Sequence, residues 1–357
     1  MSGGVDSSVA AARAIDAGHE VVGVHLALAR KSSHSGKSRG CCTLDDARDA
    51  RRVADMLGIP FYVWDMSETF ADEVIEDFLD EYRHGRTPNP CMRCNERIKF
   101  KAVLERALAL DFDAVATGHY ARIVGGPDGG PELHRAVDPT KDQSYVLGVL
   151  NREQLRHTLL PLGNDLKDDV RAEAERRGLL VARKPDSHDI CFIPDGDTAG
   201  FLRRQLGEQP GEIVDATSGT AIATHDGSFA FTIGQRRGLN LRTASETGAP
   251  RYVIDVDVKT RQVTVGPAEL LDVDGIEGVR ALWAGEPIGH EPVAVAAQVR
   301  AHADPVDGLA WMRADRLYVD LLTPIRGLAT GQAVVLYAGT RVIGSATIDS
   351  TRRVNAA

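Results

Sequence analysis

Three cysteines are the residues of this chain best suited to covalent chemistry. Cys91 and Cys94, in NPCMRC, have the spacing of a redox pair or of half a metal site, and Cys191 follows in DICFIP. The chain has only five cysteines in 357 residues. Because structural disulfide frameworks are rare in cytosolic proteins, metal binding or catalysis is favoured for these thiols.

Each thiol also has an ordinary structural interpretation. No second CxxC or His pair completes a zinc site with Cys91 and Cys94, so a structural zinc is the weaker alternative for that pair. Cys191 is flanked by Ile190 and Phe192, which is typical of a cysteine buried as a small apolar side chain.

The chain opens with SGGVDSS, residues 2–8, which leads directly into a predicted helix. Glycines let backbone amides approach an anion closely, and a helix N-terminus adds amides and a favourable dipole. The segment resembles the pyrophosphate-binding loop of ATP pyrophosphatases and lacks the lysine of a Walker loop. Such loops follow a buried strand, whereas only Met1 precedes this one. We therefore expect the natural start to lie a few residues upstream.

Composition predicts an ordinary cytoplasmic protein. The chain is 43% apolar and 26% charged, and no run of eighteen apolar residues suggests a membrane span. A net charge of −9 argues against general coating of nucleic acid, but a local basic patch can still hold a structured RNA. The candidate patches are Arg51-Arg52, Arg203-Arg204 and Arg236-Arg237, although each such pair is more often a solvated surface than a binding site.

The first half alternates helical patterns with short apolar runs, as a parallel α/β sheet does. Helices are predicted over residues 8–17, 44–57 and 96–110, and strands over residues 21–28, 61–66 and 114–117. Gly18 and Gly58 end the first two helices, and Thr43 caps the second.

From about residue 205 the runs shorten and turn signals recur. Residues 252–265 predict two alternating strands around a tight turn, and a break at 272–278 divides the β half. The predicted fold is a doubly wound parallel-sheet ATP pyrophosphatase domain followed by two small antiparallel β-barrel domains. The predicted boundaries are 1–204, 205–275 and 276–357.

Six motifs in order point to one family. Behind SGGVDSS come GRTPNPCMRCNERIKFK, ATGHYAR, DPTKDQSYVL, DICFIP and TIGQRRGL, and together they resemble the bacterial tRNA-specific 2-thiouridylases. The resemblance implies an enzyme that uses ATP and Mg²⁺ to adenylate the C2 oxygen of uridine 34 in the tRNA anticodon. A cysteine persulfide, charged by a sulfur-carrier protein, then gives 2-thiouridine. We take a monomer as the default state.

The resemblance also implies roles for single residues. Cys94 matches the nucleophile, and Cys191 matches the persulfide cysteine that ends in a disulfide with it. The implied ATP-binding residues are Met1, Ser2, Gly3, Gly4, Val5, Asp6, Ser7, Leu26 and Gly118. The implied target-base contacts are Asn89, Pro90 and Cys91; the implied tRNA contacts are Lys141, Asp142, Gln143, Arg300 and Ala301, the last standing where a tyrosine is usual.

Charge near the predicted sites suggests how they act. Arg93, Arg97 and Lys99 lie close to Cys94 in sequence, and a helix is predicted to start beside it. Both features favour a thiolate over a thiol of ordinary pKa near 8.5. Asp6 is expected to hold magnesium or to orient phosphates rather than to make structure.

Cys91 departs from the best-known branches of the family, which carry an aspartate there. A thiol is weaker as an acid than a carboxyl group by about four to five pKa units, so it does not replace that group at pH 7. An alternative is that Cys91, Cys94 and Cys191 hold a 4Fe–4S cluster. Cys41 and Cys42 are interpreted as incidental, with a secondary metal contact as the alternative.

Two other functions remain open. An amide-forming ligase or amidotransferase would use the same loop, but it needs no paired thiols. A non-catalytic, metal- or redox-responsive RNA-binding protein would use the thiols but would leave SGGVDSS unexplained.

Overall fold

The N-terminal domain combines helices with short parallel strands. The computed structural model describes residues 1–28, 44–185, 190–241 and 249–353, so Cys41, Cys42 and Thr43 lie outside the described residues. The helices are α1 (Val5–Asp16), α2 (Leu44–Leu57), α3 (Ser67–Phe70), α4 (Glu76–Arg83), α5 (Pro90–Arg93), α6 (Val103–Ala109), α7 (Ser144–Leu147), α8 (Arg152–Arg156), α9 (Lys167–Arg176) and α10 (Thr198–Leu206). The strands are β1 (Gly23–Ala27), β2 (Phe61–Asp65), β3 (Val115–Ala116), β4 (Arg122–Gly125), β5 (Pro131–His134) and β6 (Thr158–Leu159).

The parallel α/β prediction is confirmed. β1 pairs with β2 and β3 pairs with β6, in both cases in parallel. One core packs Val9 of α1 and Val53 of α2 against α9, and a second core packs Trp64 of β2 with Phe70 and Ile98. Within the described ranges, no helix has the length and apolar character that crossing a lipid bilayer requires.

One predicted helix begins earlier than expected. The helix predicted over 96–110 begins with α5 and continues through a π-helical stretch, Cys94–Ala102, into α6. Asn89 caps it by accepting from the Met92 amide at 3.2 Å, and Pro90 occupies the first helical position. This cap and proline form an ordinary helix start, so the helix begins before both cysteines.

Four strands make up the central domain, in the order β8-β7-β10-β9. They are β7 (Gly211–Asp215), β8 (Ala221–His225), β9 (Tyr252–Asp257) and β10 (Gln262–Gly266), with a 3₁₀ turn at Ser228–Ala230. β9 and β10 form the antiparallel hairpin predicted over 252–265, while β10 pairs in parallel with β7.

The C-terminal domain is a closed antiparallel barrel of six strands. They are β11 (Asp272–Trp283), β12 (Val293–Gln298), β13 (Val306–Arg313), β14 (Arg316–Arg326), β15 (Ala333–Ala338) and β16 (Arg341–Arg353). The order β11-β14-β13-β12-β15-β16 closes because β16 also pairs with β11. Closure leaves no open sheet edge in the barrel.

The strand β11 runs straight through the predicted break at 272–278, so the chain has no linker there. Its two glycines mark register shifts of the strand rather than a linker. A Cβ at Gly278 would lie 2.8 Å from the Cβ of Ala346, so glycine is required for close strand crossing. Similarly, the predicted boundary at 204 falls inside α10.

The N-terminal domain and the barrel share a hydrophobic core. Leu133, Tyr145 and Leu147 of the first domain pack with Val335 and Tyr337 of the barrel, all at most 1% exposed. The β4–β5 hairpin also extends the barrel sheet, because His134 pairs with Arg341. A large apolar contact of this kind holds two domains in one orientation.

Arg135 lies at this junction. Its guanidinium is 3.0 Å from the Asp142 carboxylate, donates to Oε1 of Gln298 at 2.7 Å, and lies 3.8 Å from the ring centroid of Tyr337. Asp142 and Gln298 are almost fully buried, so Arg135 supplies the counter-ion of the first and the donor to Oε1 of the second.

We expect Arg135→Ala to lower the free energy of unfolding by about 2 kcal/mol, because it leaves the buried Asp142 carboxylate without its counter-ion and the buried Gln298 Oε1 without its donor. Arg341→Ala is the matched control. Arg341 pairs with Glu132 across the same junction but is 46% exposed, so its loss should change stability by about 0.5 kcal/mol or less. Urea unfolding of both variants is the measurement, and equal losses would contradict this role of Arg135.

Candidate active site

The SGGVDSS loop is folded tightly onto the start of α2. Gly3 has φ +73°, and a Cβ there would lie 2.3 Å from the Asp46 carbonyl oxygen. The loop therefore requires glycine at this position. Gly4 is the N-cap of α1 and brings no side chain over the first amides of the helix. Ser7 accepts from the Ser2 amide at 3.0 Å, which closes the loop.

The ATGHY motif reaches the same loop from β3. A Cβ at Gly118 would lie 2.7 Å from the Ser7 amide nitrogen, so the two backbones are in direct contact. Two residues later, the Tyr120 hydroxyl donates to Asp6 at 2.9 Å. The structure thus brings together Gly118 and the predicted phosphate loop, which lie more than a hundred residues apart in the chain.

Asp6 is held by a lysine that the sequence analysis missed. Lys167 Nζ donates to both carboxylate oxygens of Asp6 at 2.7 Å and is nearly buried, with 8% of its side chain exposed. Lys167 is the first residue of α9, where the helix dipole disfavours a cation. A lysine at the start of a predicted helix is therefore the feature of the sequence that could have identified Lys167. Asp6 therefore has a structural role, contrary to the expectation that it only serves a ligand.

Lys184 is a second missed cation at the loop. Its ammonium donates to the Gly3 carbonyl at 3.0 Å and to carboxylates of Asp46 and Asp49 at 2.7 and 2.8 Å. Burial by itself lowers the pKa of Lys184, but the hydrogen bonds that its ammonium donates to both carboxylates outweigh burial and place the pKa above its usual value. Lys184 thus fastens the loop to α2 as a permanent cation.

Two histidines border the loop in their neutral form. His25 is 2% exposed beside Met1, and burial lowers its pKa. Burial, with a smaller contribution from the positive charge of Lys99, holds the pKa of His119 well below its usual range. Lys99 Nζ lies 3.5 Å from Nε2 of His119, so this cation is directed at the ATGHY motif.

The thiols predicted to react lie in one apolar cluster. Cys94 is 8% exposed and packs with Phe70, and half-buried Cys191 packs against the same cluster together with Phe192. The Phe192 ring also meets Phe70 edge-on at 5.9 Å. Leu26, predicted to contact ATP, borders the cluster too. The structure therefore places both thiols beside the β1 side chains of Val24 and Leu26.

The cations expected to activate Cys94 are largely neutralised. Arg93 lies 2.7 Å from Glu96 and 3.4 Å from Asp77, and Arg97 lies 3.0 Å from Asp77. Because the helix begins at Pro90, Cys94 also lies past its first turn, beyond the strongest part of the dipole. Arg93 and Arg97 therefore supply little net positive charge to Cys94, and activation of this thiol by the three nearby cations, Lys99 included, stays a prediction.

The predicted target-base residues lie where the helix meets the barrel. Asn89 and Arg93 line a small cleft together with Thr347, to which Arg93 donates at 3.0 Å. Pro90 is buried and Cys91 is half-buried. Asn89 is occupied as a cap, so its side chain has a structural role besides any contact with a base.

The residues that the structure describes do not form a resident metal centre. Among the residues that the structure describes, which include Cys91, Cys94 and Cys191, no three ligand side chains converge to hold a metal ion. For Mg²⁺, which favours carboxylates with phosphate oxygens, Asp6 is the carboxylate at the loop. Both of its oxygens already accept from Lys167.

The two segments predicted to contact tRNA, 141–143 and 300–301, are joined through Arg135. Asp142 is enclosed by Arg135, by the Ala136 amide at 2.9 Å and by Ser144, so its carboxylate shapes the 141–143 turn. On the barrel side, Gln298 donates to the carbonyl oxygens of Arg300 and Ala301 at 2.9 and 3.1 Å. The structure thus fixes the turn at 141–143 relative to the turn at 300–301.

Gln143 likewise serves the fold. Its side chain accepts from the Tyr120 amide at 2.9 Å, and its own amide donates to the Tyr120 carbonyl at 2.8 Å. The turn is therefore connected to the residue that hydrogen-bonds Asp6 in the phosphate loop.

Known protein families match all three parts of the chain. The model described as tRNA methyl transferase HUP domain matches residues 1–195, the tRNA methyl transferase PRC-barrel domain matches 199–267, and the Aminomethyltransferase beta-barrel domain matches 273–348. This succession confirms the predicted order of an α/β domain and two β domains.

Curated relatives match over the full length. A tRNA-specific 2-thiouridylase MnmA of Acidothermus cellulolyticus is 63% identical over 354 residues, which cover 99% of this chain and 97% of that protein. Proteins of the same name from an Arthrobacter species and Streptomyces avermitilis are each 58% identical, covering 100% and 99% of this chain and 98% and 94% of their own. The chain belongs to the family of tRNA-specific 2-thiouridylases named MnmA.

Proposed function

We propose that this protein adenylates the C2 oxygen of uridine 34 in tRNA with ATP and replaces that oxygen with sulfur from a persulfide on Cys191. The observation that carries the proposal is the meeting of Cys94 and Cys191 in one apolar cluster beside β1, whose Leu26 borders the same cluster. The two cysteines come from segments almost a hundred residues apart. Packing alone would not require both of these residues to be cysteines.

The loop supports the adenylation step. The first amides of α1 and the backbone at Gly3 and Gly4 are arranged to bind phosphate oxygens. Attack of the uridine C2 oxygen on the α phosphate of ATP releases pyrophosphate and leaves the base with an AMP leaving group. Lys167 keeps Asp6 neutralised, so the loop presents amides rather than a bare carboxylate to the anion.

The thiols support the sulfur step. The outer sulfur of the Cys191 persulfide attacks C2 of the adenylated base, and AMP departs. The Cys94 thiolate then attacks the inner sulfur, which is Sγ of Cys191. The bond between this sulfur and the outer sulfur breaks, the outer sulfur stays on C2 of the base, and a Cys94–Cys191 disulfide forms. The two cysteines supply the two electrons, and an external thiol must reduce the disulfide before the next turnover.

The surrounding partners follow from this chemistry. A sulfur-carrier protein supplies the persulfide, tRNA is the substrate, and the cytoplasm is the compartment in which both occur. A monomer is sufficient, because the residues of the proposed site all come from one chain.

One assay separates this proposal from its rivals. The protein is incubated with ATP, a persulfide donor and tRNA, and the nucleosides are analysed. Formation of 2-thiouridine supports the proposal, whereas AMP release without thiolation indicates a ligase. Binding of tRNA with no use of ATP indicates a non-catalytic RNA-binding protein.

We expect Cys191→Ser and Cys94→Ser each to abolish thiolation while tRNA affinity stays within a few fold of wild type. After a single turnover the wild type should contain the Cys94–Cys191 disulfide, detected by mass spectrometry of non-reduced peptides. Cys91→Ser is the matched control and should still form this disulfide. A wild-type rate of thiolation in Cys191→Ser with a protein persulfide donor would contradict the role of Cys191.

We expect Asp6→Asn to abolish adenylation and also to lower the free energy of unfolding by about 2 kcal/mol, because it leaves the buried Lys167 charge uncompensated. The double variant Asp6→Asn/Lys167→Met should recover most of that stability but none of the adenylation. Urea unfolding and pyrophosphate release are the two measurements. Adenylation in the double variant would show that Asp6 is purely structural.

The cluster alternative predicts a different protein. Because the three cysteines are not gathered as ligands, we expect anaerobically purified protein to be free of iron and to lack the broad absorption at about 400 nm of thiolate-ligated iron–sulfur centres. It should nevertheless thiolate tRNA with a persulfide donor. A brown protein that loses both its colour and its activity in Cys91→Ser would overturn the persulfide route.

A further inference from the structure

Arg236 and Arg237 form an exposed pair of cations in an acidic protein. The chain carries a net charge of −9, and many of its surface arginines are balanced: Arg316 by Glu277, Arg326 by Asp272 and Arg352 by Asp274. In contrast, neither guanidinium of the 236–237 pair has a carboxylate partner within the described parts of the chain. Such positive charge is available to an anionic partner.

The loop that carries the pair is held at both ends and in its middle. Phe231 and Leu239 are buried in the core of the central domain. Between them, the Gln235 side chain accepts from the Thr232 amide at 3.0 Å and donates to the Arg237 carbonyl at 2.9 Å. Because the backbone is already ordered, little backbone entropy is lost when the two guanidinium groups bind.

A contact between two glycines places this loop beside Arg300. A Cβ at Gly234, where φ is +86°, would lie 3.2 Å from the Cα of Gly327, and a Cβ at Gly327 would lie 3.1 Å from the Cα of Gly234. The Gly327 carbonyl accepts a hydrogen bond from the Arg300 guanidinium. The central domain and the barrel therefore meet where Arg300 lies, and the loop at 232–238 adjoins it.

We propose that Arg236 and Arg237 bind the sugar-phosphate backbone of the tRNA substrate, as a contact site continuous with Arg300. The inference rests on the proposed function, since it takes tRNA as the substrate. Guanidinium groups bind phosphates bidentately, and contacts of this kind position a nucleic acid without reading its sequence. The site extends the row that starts at the 141–143 turn and passes through Arg135 and Gln298.

Arg300 and the loop that carries Arg236 and Arg237 both contact Gly327, so the three arginines lie on one surface. Arg300 is tied to the barrel at Gly327, and the 234–237 segment is tied to the same point from the central domain. A phosphate backbone that contacts Arg300 therefore passes next to cations of both β domains. An acidic protein is the other anionic partner that Arg236 and Arg237 could bind, and measurements of tRNA affinity and sulfur transfer distinguish it from tRNA.

The test measures binding of a labelled tRNA transcript by the full-length protein between about 50 mM and about 300 mM salt. The double variant Arg236→Ala/Arg237→Ala should bind about tenfold or more weakly at the lowest salt. Its plot of log affinity against log salt should be shallower by about 2, roughly one for each lost phosphate contact. Lysine at both positions should keep most of the slope.

Arg203→Ala/Arg204→Ala is the matched control, because it removes the same charge from another exposed arginine pair, in which Arg203 already pairs with Asp226. It should remain within about twofold of wild type in affinity. Melting temperatures of both double variants should stay within about 2 °C of wild type, since the changes are on the surface.

Three outcomes would overturn the inference. Unchanged tRNA affinity in the 236–237 variant removes the site, and an equal loss in the 203–204 variant shows only a general charge effect. Unchanged tRNA binding with slower sulfur transfer from a protein persulfide, but not from inorganic polysulfide, assigns the pair to an acidic carrier protein. If the wild type binds tRNA and thiolates it in each case, the proposed function stands while this site fails.

Discussion

The apolar core shared by the N-terminal domain and the barrel is the constraint on which the rest of the molecule depends. Tyr145 and Leu147 on one side and Val335 and Tyr337 on the other are almost completely buried, so neither domain can turn away without exposing them. Arg135 lies in this junction and connects Asp142 to Gln298. The relative orientation of the two domains is therefore set by apolar packing and by the Arg135 guanidinium, and an RNA that contacts both domains binds to that arrangement.

The phosphate loop depends on a second buried charge. Lys167 neutralises Asp6, Tyr120 donates to the same carboxylate, and Lys184 binds the Gly3 carbonyl from the other side. Stability and ligand binding are coupled at this point, because the groups that hold the loop in shape are also those that determine its charge. A buried ion pair of this kind adds little net stability, but removing one partner is costly.

The thiols lie in surroundings of a different character. Cys94 and Cys191 adjoin aromatic side chains, and the arginines near Cys94 in sequence are engaged by carboxylates. An apolar, water-poor setting protects a persulfide and an adenylated base from hydrolysis. Such a setting favours transfer of sulfur between neighbouring groups over release of free sulfide.

Local sequence determined the elements and the motifs, and tertiary structure decided what those motifs touch. The loop at 2–8, the helix at 44–57 and the hairpin at 252–265 follow from turn residues and periodicity, which act over a few residues. The residues that form the cap at Asn89 and the strand through Gly275 can be seen in the sequence. They were not predicted because CxxC was interpreted first as a thiol site and glycine as a break between domains. Three contacts join residues that only folding brings together. They are the hydrogen bonds from Lys167 to Asp6, those from Arg135 to Asp142 and Gln298, and the backbone contact between Gly234 and Gly327. A local pattern can show an unusual charge, such as Lys167 at the start of a helix, but the partner that satisfies a buried charge or a close backbone contact lies far away in the chain.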